Sequence, residues 1–224
     1  MQKLSRREVI ALAGTTGDIS GFDLSGLDLS NLDLIAVRFR GSDLKGAKLN
    51  KSNFSVSDFS NADLSSCDLS SSNFAGTDFT HALMEKADLS FSTLTGCDFS
   101  NGRLQNANLS NAKISNAVFD GSNLSGANLQ MSDAAMTSFR NARMEEIDAY
   151  GASMTGARLS GAILHRAKLH GTDLNGADLS STDLTDAVFL EASLIGADLA
   201  GANMQRTLMQ RTDLTRAKLE GTQK

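Results

Sequence analysis

One periodicity constrains this chain more than anything else in it. From Leu24 to Leu219 every fifth residue is Leu, Phe, Met or Ile, 40 positions in unbroken register, with Ala134 and Ala149 the two exceptions. Two residues before each of these centres, from Ser42 onward, stands Ala, Ser, Thr, Cys or Gly, with Ile147 the exception. The position just before the centre holds 17 of the 20 aspartates, and the position two after it holds 15 of the 19 glycines. A period of five fits neither the 3.6-residue turn of a helix nor the two-residue alternation of a plain strand. It fits a short extended piece followed by a turn. In extended chain, residues two apart face the same way, so the small and large rows both point inward while Asp or Asn between them points out. Glycine then falls at the corner, where the chain bends.

The number of edges in one coil follows from which residues recur together. Phe39, Phe59, Phe79, Phe99, Phe119 and Phe139 are spaced by 20, and Phe54 and Phe74 repeat that interval on a second edge. Four edges of five residues therefore close one coil. Forty edges make about ten coils, and at ~4.8 Å between neighbouring strands the rod is on the order of 50 Å long. Stacked Phe rings in an interior column bury apolar area and meet in offset geometry.

Composition narrows the function classes. A formal charge of −5, from 21 basic and 26 acidic residues, argues against a general nucleic-acid or acidic-membrane binder, since phosphate contacts need a basic surplus. A protein partner fits better. No basic segment followed by an apolar one opens the sequence, and no apolar run approaches the ~20 residues of a membrane span; the expected location is the cytosol. Cys67 and Cys97 belong to no CxxC pair and have no histidine at metal-ligand spacing, so they read as buried thiols, with no metal or cofactor expected.

Units such as ADLSS at 62–66, ANLSN at 107–111 and ADLAG at 197–201 resemble the pentapeptide-repeat family, and the resemblance covers about nine tenths of the chain. It implies a right-handed, four-sided (quadrilateral) β-solenoid, an all-β fold whose handedness the spacing alone does not supply. We expect a capping helix and lead-in over residues 1–18 and an uninterrupted solenoid over 19–222. Ser5 reads as an N-cap, Glu8 as its capping-box partner, and Leu4 and Val9 as a hydrophobic staple. Gly14 is the expected stop. Val9, Ile10 and Leu12 are expected to lie over the open first coil, where Phe22, Leu27, Leu32 and Val37 make the normally small row bulky. After Leu219 only five residues follow, so the C-terminal coil is expected to be uncapped and able to pair with a second copy as a homodimer.

Projection onto the 20-residue coil brings candidate surfaces together. Val188 falls beside Leu208, with Leu190 on the same edge and Tyr150 and His170 stacked below it, an apolar patch expected to bind protein. Asp58, Asp78 and Asp98 form a second, acidic column, with Asp63, Asp68 and Asp88 on neighbouring edges. Residues 41–100 carry eight acids against four bases. Some members of the resembled family imitate duplex DNA and bind type II topoisomerases, so DNA gyrase is the alternative partner. Against it, the centres are mainly Leu, no loop interrupts the repeat, and residues 101–170 swing to +2. The three histidines, His81, His165 and His170, fall on outward positions without a nucleophile–base arrangement, and the paired carboxylates lie on convex columns outside any cleft. The chain reads as a non-enzymatic scaffold. Around 131–150, Ala134 and Ala149 hollow the large row while Ile147 fills the small one; compensated packing is expected there rather than a bulge carrying Met131, Met136, Glu145 and Glu146.

Overall fold

The computed structural model describes all 224 residues. Its repeating contact is a parallel pairing of each residue just before a centre with its counterpart 20 residues on, Asp58 with Asp78, Asp78 with Asp98, and so along the chain. Each coil therefore has four edges, here called faces I to IV by their inward centres: face I holds Leu24 and Leu44, face II Leu29 and Leu49, face III Leu34 and Phe54, face IV Ile19, Phe39 and Phe59. The extended pieces are so short that only one residue per edge pairs in this way, and turns take up the rest.

Corners share one backbone state. Every residue two after a centre, from Gly21 to Gly221, has positive φ, and at most corners the N–H of the next residue donates to the centre's carbonyl, as in Ala47 to Leu44 at 2.8 Å. A single left-handed residue in third position is the mark of a type II turn. Many of these corners are not glycine: Asn31, Lys51, Val56, His81, Phe91 and Arg166 are among those that adopt the left-handed region. At four corners of faces II and III a hydroxyl from the next coil replaces the direct turn bond. Ser52, Ser57, Ser72 and Ser92 each donate to a centre carbonyl of the previous coil, at 2.8 to 3.2 Å. The same four oxygens accept the N–H that would have closed the turn.

Inside, the large and small rows, joined by Leu4 and Val9, form one continuous cluster of 62 buried apolar residues, so nothing divides the rod into separate cores. The Phe rings stack as the spacing requires: Phe39 on Phe59 at 4.5 Å, Phe79 on Phe99 at 4.8 Å and Phe99 on Phe119 at 4.5 Å, with Phe54 on Phe74 at 5.3 Å beside them. The two columns meet edge to face, Phe54 against Phe39 and Phe59. Residues 131–150 do not bulge. Asn128 pairs with Asp148 and Asp133 with Ser153 in unbroken register, and Ala134, Ile147 and Ala149 are all fully buried.

At the N-terminal side, helix α1 (Arg6–Thr15) starts with the expected capping box, in which Glu8 accepts the Ser5 N–H at 2.7 Å while Ser5 accepts the Glu8 N–H. Two expectations are corrected. The helix runs through Gly14 to a cap at Thr16, followed by left-handed Gly17, and Ile10 points to solvent, 44% exposed, because Val9, Leu12 and Ala13 already fill the stripe facing the coil. Ahead of α1, Lys3 pairs with Asp23 and Leu4 is buried, so this segment already occupies one edge of face I in the five-residue register. Arg6 ties the helix down by donating to the carbonyls of Asp28 and Ser30.

Two stability measurements follow. Phe99→Ala, which leaves a hole between two stacked neighbours, is expected to lower unfolding free energy by about 3–5 kcal/mol in urea titration. Val56, β-branched at φ 51, sits where a side chain costs about 1–2 kcal/mol; Val56→Gly is expected to raise the denaturation midpoint.

Candidate interaction surface

On face II the five residues singled out above come together. Tyr150, His170 and Leu190 occupy the same turn position in successive coils, and Val188 pairs directly with Leu208. The Tyr150 and His170 rings lie 5.2 Å apart at 47°. Tyr150 is 51% and Leu208 49% exposed, a large apolar area left to solvent, while Val188 and Leu190 are half-buried. Two adjoining shallow depressions of about 300 Å³ each share His170 as their common wall; one reaches to Tyr150 and Val188, the other to Leu190 and Gln210. Charged pairs frame them: Lys168 with Asp148 at 3.9 Å on one side, and Glu191 between His170 at 3.7 Å and Arg211 at 3.0 Å on the other. Charges satisfied at the rim around an apolar centre are the arrangement of a protein-binding patch.

Met131 belongs to the same surface, although the projection above did not include it. It is 58% exposed, and its Sδ lies so close over Gly151 that a Cβ there would stand 2.7 Å from the sulfur. The thioether thus covers the corner beside Tyr150. The signal was available: residue 131 stands one coil before residue 151.

The acidic residues divide. Asp58, Asp78 and Asp98 form one column on face IV, whereas Asp63 lies on face I and Asp68 and Asp88 on face II. None of the six takes part in an ion pair of the chain. Each has a local task, because one oxygen accepts the N–H two residues on: Ser60, Thr80 and Ser100 donate to Asp58, Asp78 and Asp98, each at 2.8 Å. Ser65, Ser70 and Ser90 do the same for the other three. These Asx turns explain why aspartate recurs just before the centre whatever lies outside. The face IV column then runs on through Val118, Ser138 and Arg158, which ends its negative run.

His165 lies 3.9 Å from Asp186 and His170 3.7 Å from Glu191, each between a carboxylate and solvent, and His81 is exposed. No group of three His, Cys, Asp or Glu side chains is placed to hold a metal ion. No helix is long and apolar enough to cross a membrane.

Against known proteins, the profile of the family described as Pentapeptide repeats matches eight copies, over residues 18–50, 38–74, 62–101, 103–134, 137–166, 162–199 and 192–223. Among solved structures, the chain is similar to HetL, a pentapeptide repeat protein involved in heterocyst differentiation regulation from the cyanobacterium Nostoc sp. strain PCC 7120. The identity is 28%, covering 98% of this chain and 96% of that one, with a TM-score of 0.65. It is also similar in fold to a trypsin-treated form of QnrB1, a plasmid-mediated fluoroquinolone resistance protein, at 21% identity over 86% of this chain and 91% of the other, with a TM-score of 0.60. No curated protein sequence matches it.

The two thiols test whether the coil is closed in solution. Cys67 and Cys97 are buried and donate to the carbonyls of Leu44 and Phe74 at 2.8 and 2.9 Å, and burial pushes both up to about 12. A colorimetric disulfide reagent at pH 8 is expected to find no reactive thiol in the native protein and two after denaturation.

Proposed function

The chain belongs to the pentapeptide-repeat family, a family of right-handed quadrilateral β-helices, and from that premise we propose that it is a non-enzymatic, cytoplasmic protein-binding scaffold whose docking site is the face II patch. The observation that carries this reading is the exposure of Tyr150 and Leu208, with Met131 beside them, inside a rim of paired charges. Apolar side chains gathered in one place on a rigid surface favour association, and their flanking ion pairs cost little to bring to an interface edge because they are already neutralised. HetL, similar to this chain over 96% of its own length, is a pentapeptide repeat protein involved in heterocyst differentiation regulation. That supports a binding role without supplying the partner.

The second reading is DNA mimicry toward DNA gyrase. It is favoured by the unpaired charges of Asp58, Asp78 and Asp98 on one column, and opposed by the Asx-turn role of each and by the arrival of Arg158 farther along that column. A further place for a protein edge is the last coil, where Met209, Leu214 and Leu219 are half-buried and their amides donate to no carbonyl; a second copy adding there is the homodimer this edge would make.

Supercoiling by purified gyrase separates the first two readings. The scaffold reading expects no inhibition at micromolar protein; inhibition that disappears in the Asp58→Asn, Asp78→Asn, Asp98→Asn triple variant would establish mimicry instead. In parallel, capture of partner proteins is expected to fail with Tyr150→Asp and Leu208→Glu together and to survive the triple Asn variant. Capture that depends on the three acids and ignores face II would sink the proposed docking site.

A further inference from the structure

Charge is spread unevenly around the rod. Faces I and IV hold most of the ion pairs, among them Arg103 with Glu85, Arg206 with Asp186, Arg38 with Asp18 and Lys218 with Asp198. Face III takes part in none. Between Asn53 and Ile195 its outward positions carry only Lys113, Asp133 and Asp173 as charges, among Asn, Ser, Thr, Ala and Gly. The same face exposes Ile35, Val56, Met136 and Ile195, at 49, 61, 50 and 40%. Lys113 and Asp133 are neighbours one coil apart, yet neither enters an ion pair; one Asp133 oxygen accepts the Ala135 N–H.

The position of that unpaired couple decides what the face fits. The outward row before the centres runs from Asp33 to Asp213, and the step from Lys113 to Asp133 is its midpoint. We propose that face III is a self-association surface on which a second copy of this chain packs face to face and antiparallel, about a two-fold axis at this midpoint. Each row then meets itself reversed. Lys113 faces Asp133 of the second copy and the reverse, Asn73 faces Asp173, and Thr95 faces Thr155. Val56 and Ile195 meet Gly196 and Ser55, so these two exposed apolar side chains land on small ones, while Ile35 meets Thr215 and Met136 meets Asn116.

A second copy satisfies this surface in a way an unrelated protein does not, because both faces repeat at the same ~4.8 Å rise and stay level along their whole length. About nine coils at that rise, ~10 Å wide, cover on the order of 400–500 Å² per copy. That is below the ~800 Å² per partner of a standard interface, so the dimer is weak and dilution separates it. Asp33 meets Asp213 at the two ends, a like-charge contact that limits affinity further.

Sedimentation equilibrium over low to high micromolar protein is expected to show the mass rising from 23.7 kDa toward twice that value. Lys113→Glu is expected to weaken association about tenfold, the exchanged pair Lys113→Glu with Asp133→Lys to restore it, and Asp33→Asn to strengthen it. Ser115→Arg, a solvent-facing change that leaves core and turn bonds untouched, serves as a second disrupting variant, with melting curves confirming that each variant folds. Register is read by mixing: Thr95→Cys and Thr155→Cys proteins are expected to form a disulfide-linked dimer under mild oxidation when combined and none when separate, the native Cys67 and Cys97 being buried. A wild-type mass that stays at 23.7 kDa at the highest concentration overturns the proposal. So does association untouched by Lys113→Glu and Ser115→Arg, the result expected if copies join at the last coil or if another protein owns this face.

Discussion

Everything in this molecule depends on a left-handed residue recurring every five positions. That one backbone state turns the chain through a corner, and because no corner is skipped from Gly21 to Gly221, each coil closes after the same 20 residues. Closure at constant length makes the vertical hydrogen bonds possible: the N–H of Leu24 reaches the carbonyl of Asp43, and that of Leu44 the carbonyl of Asp63. Stacking then follows rather than leads. The Phe columns, the hydroxyls of Ser52 and Ser72 that enter the turns of the previous coil, and the Asx turns of the outward aspartates all presuppose a neighbour held at a fixed height.

Much of this could be read before any coordinate was seen, because a repeat poses the same question forty times. The Phe spacing by itself determined the number of edges, and Ser5 with Glu8 announced the helix start. What escaped was whatever depends on local competition. Gly14 reads as a helix stop, yet the helix passes through it, since Thr16 and Gly17 offer a cap one step later with a bond to Leu12. Ile10 reads as part of the lid, but a ten-residue helix resting on one coil has only a narrow inward stripe, and Val9, Leu12 and Ala13 fill it. The tolerance of the corners was invisible too: Val56 and Phe91 hold a conformation that side chains ordinarily avoid, held there by bonds from their own N–H to the next coil, at Ala75 and Ser110, and by the turn bonds of Ser57 to Phe54 and Ser92 to Leu89.

The candidate surfaces show the same division. Tyr150, His170, Val188, Leu190 and Leu208 were placed on one face by arithmetic alone, since outward residues 20 apart must be neighbours. Met131 was missed because it stands at a corner, where the side chain leans over the next coil's Gly151 instead of standing out from its own edge. The acidic residues carry a different lesson. Their abundance looked like a surface property, but the bond each makes to its own turn gives aspartate a reason to recur that has nothing to do with a partner.

The unbroken register also governs how such a rod can change in length. Inserting 20 residues adds one coil and leaves every downstream face pointing where it did. Inserting five residues turns everything beyond the insertion by one face: a single added unit after residue 120 would carry Tyr150, Val188 and Leu208 from face II to face III while leaving the core pattern intact. In this architecture the direction in which a surface faces is counted in units of chain length, so a change of a few residues rotates function around the axis without any change in the residues that perform it.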